Sequence, residues 1–225
     1  MAQDRQSGGR QYPPTPETVR RGLRKWGSRN RRSYPWRDTP TPFEVLIAEL
    51  CLRQTGARIA EPAYRSILEK YPTPRDLAAA PVRDLEKVFR PIGLISRAST
   101  IIELARELLL HHGGEVPSRF EDLVQLPGVG PYIANAVRCF GYGKRAPIVD
   151  GSVKRVLGRI YGRSELADRA AWTLAEHLVP RKDPDLYNYS LLDLGAKLCR
   201  PTRPLCHNCP LRRRCMWHSG EKRSS

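Results

Sequence analysis

Leu126-Pro127-Gly128-Val129-Gly130 is the stretch on which the fold of this chain turns. Two glycines flanking one apolar residue permit a tight turn whose successive backbone N–H groups point outward. Helical apolar spacing runs up to the turn over 120–125 and resumes over 131–141, so the turn joins two helices. The second helix opens on Pro131, which suits a first helical position, and its unsatisfied N-terminal donors face the same turn. These groups make a neutral, sequence-blind cradle for a phosphate, offered by Leu126, Gly128, Val129 and Gly130. An ordinary helix–helix connection would look the same over so short a stretch. The charge of the chain separates the two readings: 39 Lys and Arg stand against 23 Asp and Glu, a formal +16. A chain this basic meets a polyanion, and nucleic acid is the leading one.

Outward from the hairpin the chain reads as helix after helix. Apolar periodicity predicts helices over 17–28, 43–54, 57–70, 73–79, 82–89 and 96–111 before it, and over 153–161, 167–178 and 186–198 after it. Thr41-Pro42 opens the 43–54 helix. Only 146–149 reads as extended, too short to found a sheet, so the fold class is all-α. Residues 1–16, rich in Gln, Gly, Arg and Pro without periodicity, read as a disordered basic arm. The 225 residues, 40% hydrophobic, can fill one large domain or two small ones. No run of about 18 apolar residues predicts a membrane span, and the first ten residues lack an apolar signal core. A cytoplasmic protein is expected.

Three groups of side chains carry chemistry. Asp150, in Ile148-Val149-Asp150-Gly151-Ser152, stands where an N-cap for the next helix belongs. Glu49 lies in Phe43-Glu44-Val45-Leu46-Ile47-Ala48-Glu49-Leu50-Cys51-Leu52, apolar nearly all round, so it is expected to be buried; burial raises a carboxyl pKa and suits a proton donor. Cys199, Cys206, Cys209 and Cys215 crowd together, while Cys51 and Cys139 sit alone inside helical patterns. Four soft thiolates suit a tetrahedral zinc or an iron–sulfur cubane, and ligand type alone leaves both open. Arg200, Arg203, Arg212, Arg213 and Arg214 make the cysteine segment a basic surface.

The hairpin, Asp150 and the cysteine cluster, in this order and spacing, resemble the helix-hairpin-helix DNA glycosylases of the endonuclease III and adenine-glycosylase superfamily. The resemblance runs from about residue 34 to residue 215 and implies two helical lobes with a C-terminal iron–sulfur loop. One would be a six-helix lobe over 38–144 that carries the hairpin. The other would join 17–37 to 145–225. It implies a 4Fe–4S cluster on the four cysteines and Asp150 as the catalytic carboxylate, steadying oxocarbenium character at the sugar and serving water. Glu49 would protonate the leaving base, as in the adenine enzymes.

Tyr132 divides the subclasses. The bifunctional endonuclease III branch carries there a lysine that forms an imine with the sugar. A phenol cannot form that imine, so a monofunctional enzyme is expected. Tyrosine resembles the thymine–guanine mismatch glycosylases of thermophiles, which remove T or U opposite G. Arg53 and Gln54 stand where the family enters the base stack, and Leu94 in Ile92-Gly93-Leu94 resembles an intercalating loop. The pair Arg53-Gln54 lies between the Gln-Gln of adenine enzymes and the Arg-Arg of thymine enzymes, so adenine opposite G or 8-oxoguanine is the alternative substrate. The expected partner is double-stranded DNA holding a mismatched or damaged base, bound by a monomer. A non-catalytic DNA-binding module is the rival reading, and the pairing of Asp150 with Glu49 argues against it.

Overall fold

Threonine followed by proline starts three helices: α1 (Pro16–Asn30), α2 (Pro42–Leu52) and α4 (Pro74–Ala78). In each the threonine hydroxyl accepts from the backbone N–H three residues on: Thr15 from Thr18, Thr41 from Glu44, Thr73 from Asp76. Proline meanwhile fills a position whose N–H has no helical partner. Glu44 and Asp76 return a carboxylate to the cap N–H and complete capping boxes. The computed structural model describes residues 12–38, 40–163 and 166–221, without the side chain of Glu221. The disordered basic arm expected over 1–16 lies outside the described residues as far as residue 11, and its end is instead ordered, with Thr15 as the cap and Pro16 as the first residue of α1.

The chain divides into two units. The first takes the residues up to Arg31, Val149–Pro180 and the stretch from Leu186; the second is Arg32–Ile148 with Arg181–Asp185. The second unit holds α2, α3 (Ala57–Lys70), α4, α5 (Val82–Phe89), α6 (Arg97–His112), α7 (Phe120–Leu123) and α8 (Pro131–Ala136). Its centre is α2, buried at every residue from Val45 to Cys51 and packed on α3, α6 and α8. The first unit holds α1, α9 (Gly151–Ile160), α10 (Asp168–Leu178), α12 (Met216–Glu221) and most of α11 (Pro184–Lys197). Leu23, Val153, Leu157, Leu178 and Leu191 are among its core residues. Arg20 of α1 donates to the carbonyls of His177 (2.8 Å) and Leu178 (2.8 Å), closing the C-terminal end of α10 with a cation.

No strand occurs among the described residues, as the all-α reading requires. The helix expected over 131–141 is two elements: α8 ends at Ala136 and a π turn spans Val137–Gly141. Gly141 lets the end of the turn pack against α2, since a Cβ there would stand 2.7 Å from Pro42 Cα. The short turns around the cysteines and α12 were not legible as periodicity, because Cys, Pro and Arg dominate that segment. No helix among the described residues is long and apolar enough to cross a membrane. Gly141→Ala is expected to destabilise the protein by about 1–3 kcal/mol through overpacking against backbone. Thermal melting checks this against Gly56→Ala, whose Cβ would meet nothing within 4 Å.

Candidate functional site

The turn after α7 buries two side chains and shows its backbone. Leu126 and Val129 are 4% and 6% exposed, and Val129 N–H donates to Leu126 O (3.0 Å). Their side chains belong to the core, so what they can offer a ligand is main chain. Gly128 is left-handed (φ +77°), and a Cβ there would lie 2.8 Å from Thr100 Cγ2 and 3.2 Å from Leu50 Cδ2. Only glycine meets both demands, the positive φ and the close approach to α2 and α6. Gly130 caps α8 in extended conformation with open space at its Cα, which leaves the helix start approachable. Tyr132, half-buried, stands in the first turn of α8.

The same unit gathers the other residues read as entering the base stack. Glu49 is 8% exposed, buried as its helix pattern requires. Three residues past it α2 stops, and Arg53 and Gln54 form an exposed turn. Gln54 has φ 57°, a left-handed backbone that a glutamine holds at a cost on the order of 1 kcal/mol. Arg53 Nη1 donates to Gly128 O (3.3 Å), tying this turn to the hairpin. Leu94 is half-buried in the loop just before α6. Its neighbour Ile95, which the sequence reading did not single out, is more exposed at 38%.

Asp150 and the four cysteines belong to the other unit. Asp150 caps α9: its Oδ1 accepts from Val153 N–H (2.7 Å) and from Ser152 Oγ (2.8 Å). Among the described residues no hydrogen bond reaches Oδ2. The carboxylate therefore serves as a cap with one oxygen only. Behind it, α9 carries arginines at 155 and 159, one helical turn apart, both turned to the cysteine segment. Arg155 donates to Cys199 O (2.8 Å) and Gly195 O (3.1 Å). Arg159 donates to Arg200 O (2.6 Å), Pro201 O (2.8 Å) and, at 3.5 Å, to Cys199 Sγ. Its guanidinium lies 4.6 Å over the Trp217 ring, and its carbonyl accepts from Cys215 Sγ (3.3 Å). The sequence reading missed both arginines, although their i, i+4 spacing just after Asp150 was visible.

All four cysteines line one cavity, with Leu198, Leu205 and Arg159 among its walls. Burial pushes the Cys209 thiol up to about 12, and the charges of Cys215, Cys199 and Cys206 add to the rise. Thiols in such surroundings stay protonated unless a cationic centre stabilises the thiolate form. Among the described residues no group of three or more His, Cys, Asp or Glu stands in a metal-holding arrangement. Cys51 is buried in α2 with its thiol raised to about 12, and Cys139 is buried too, so both act as small hydrophobes.

Comparison with known proteins agrees along most of the chain. A thymine-DNA glycosylase of Aeropyrum pernix is 36% identical over 215 residues, covering 91% of this chain and 96% of that protein. The structure of a thermostable thymine-DNA glycosylase matches with a TM-score of 0.85 and 33% identity, over 91% of this chain and 97% of the other. A non-covalent endonuclease III–DNA complex matches with a TM-score of 0.77 and 28% identity, over 93% of this chain and 99% of the enzyme. Residues 47–181 fit the profile of the HhH-GPD superfamily base excision DNA repair proteins, and the chain belongs to that family.

Proposed function

We propose that this chain is a monofunctional glycosylase that flips thymine or uracil paired with guanine out of duplex DNA and removes it with water. The observation that carries the reading is the side chain at 132, a phenol where a lyase needs an amine. Without an imine, the sugar's developing positive charge requires a carboxylate, and Asp150 offers an oxygen outside its cap. That oxygen can steady the charge at the sugar and orient a water. Glu49, buried in α2, is the proton donor to the leaving base. The hairpin N–H groups hold a phosphate without adding charge, and Arg53, Gln54 and Leu94 fill the space that the flipped base vacates. Thymine and uracil differ by one methyl group, so a pocket that admits the larger base admits the smaller. A mismatch lowers the cost of flipping and so directs the enzyme to T or U opposite G. The chemistry assigns its work to chromosomal DNA, at the nucleoid.

A duplex panel with T:G, U:G, A:G and A:8-oxoguanine, developed with and without alkali, tests this. Excision of T and U is expected, with strand breaks only after alkali. Breaks without alkali would overturn the monofunctional reading, and excision confined to A would move the substrate to adenine. Asp150→Asn keeps a good N-cap, so its melting temperature and DNA affinity should hold. Its single-turnover excision should fall about 10³-fold or more, as when an electrostatic partner of a transition state is lost.

The cavity ringed by four thiols fits a 4Fe–4S cluster held by Cys199, Cys206, Cys209 and Cys215. Bound there, it would act as a structural cross-link that shapes the basic loop; Arg155 and Arg159 fasten that loop to the helix behind Asp150. Purified protein is expected to be brown and to carry iron with acid-labile sulfide, both lost in Cys206→Ala. Zinc in place of iron would overturn the assignment.

A further inference from the structure

Where α2 stops, its last carbonyls must find donors. The backbone supplies two: Arg53 N–H donates to Glu49 O (3.2 Å) and Thr55 N–H to Leu52 O (3.2 Å). The carbonyls left over are those of Leu50 and Cys51, and a single side chain from another helix takes both. Arg97, the first residue of α6, donates through Nη1 to Leu50 O (2.8 Å) and Cys51 O (3.2 Å). Through Nη2 it also donates to Arg53 O, the residue just before the left-handed Gln54.

Three segments meet at Arg97, two of them through its guanidinium. The exit of α2 is bound to it directly. The hairpin is bound through Arg53, which donates to Gly128 O. The Leu94 loop is bound through the backbone, since Arg97 N–H donates to Leu94 O (2.9 Å). These are the segments carrying Gln54, the hairpin and Leu94.

We propose that Arg97 is a positioning residue for base flipping, holding the Arg53–Gln54 turn, the Leu94 loop and the hairpin in one fixed arrangement before DNA arrives. The role rests on the reading of those segments as the DNA-entering surface. A flexible turn at Gln54 would have to be ordered while the base leaves the stack, and that ordering would slow flipping. With Arg97 in place the turn is already set. A fork of donors is required: lysine could neutralise the end of α2 yet lacks the planar geometry to reach three carbonyls at once.

The test compares Arg97→Ala and Arg97→Lys with the wild type by three measurements. Hydrogen exchange over 50–55 and 126–130 reports the turn itself. Fluorescence of 2-aminopurine beside the target base reports flipping, and affinity for an undamaged duplex reports general binding. Arg97→Ala is expected to raise exchange at 50–55 and to slow flipping and excision about tenfold or more, the scale of a lost charge-assisted bond set. Affinity for undamaged duplex should change less than about twofold, because no phosphate contact is removed. Arg97→Lys should melt like the wild type but regain flipping only in part. Unchanged exchange in Arg97→Ala would overturn the proposal whatever the substrate is. So would a loss of flipping that merely follows a loss of undamaged-duplex affinity, or complete rescue by lysine. If the wild type excises no base while exchange rises in Arg97→Ala, the substrate reading fails and Arg97's hold on the turn stands.

Discussion

Leu126 and Val129 must be buried, and that requirement governs the rest of the hairpin unit. With both side chains committed to the core, the turn between them has only backbone to show. Burial at that depth also forces Gly128 into contact range of Leu50 and Thr100. The hairpin is thereby seated on α2 and α6, whose ends carry the other candidate DNA-entering residues. One packing decision sets the height of the turn, the position of Glu49 behind it and the bond from Arg53 across it.

In the first unit, the proposed function gives one carboxylate two jobs. A helix start needs an acceptor, and a glycosyl transfer needs an anion. At Asp150 the demands divide between the two oxygens, so neither competes with the other. The helix it caps is then immobilised from behind by Arg155 and Arg159, whose five hydrogen bonds go to Gly195, Cys199, Arg200 and Pro201. The cysteine segment accordingly braces the helix that Asp150 caps, through backbone carbonyls that accept from Arg155 and Arg159.

Much of the fold was legible in the sequence because its signals are local. Apolar periodicity, with Thr41-Pro42 as an opener, located the helix starts before the hairpin to within a residue or two, and the ranges of α3 and α5 matched throughout. The burial of Glu49 followed from an apolar helix with no polar face. What escaped depends on contacts between distant segments. The π turn at Val137–Gly141 ends on a glycine that packs against Pro42, far away in sequence. Arg97 looks like any arginine at a helix start until the spare carbonyls of α2 are counted. Asp150 could be read as a cap or as a catalyst; the structure shows the cap on Oδ1, and the catalytic role belongs to the proposal. Leu94 and Ile95 were indistinguishable by type; exposure separates them.

The backbone hairpin has a consequence for how ionic strength acts on the protein. Contacts from arginine and lysine release condensed counterions from DNA, so they weaken steeply as salt rises. A phosphate held by N–H groups brings no side-chain charge, and its strength follows geometry more than the ion atmosphere. Raising salt would therefore strip the many basic contacts that let a +16 chain adhere anywhere along a duplex. The grip proposed for the hairpin would be largely spared, and the ratio between a seated complex and a wandering one would rise.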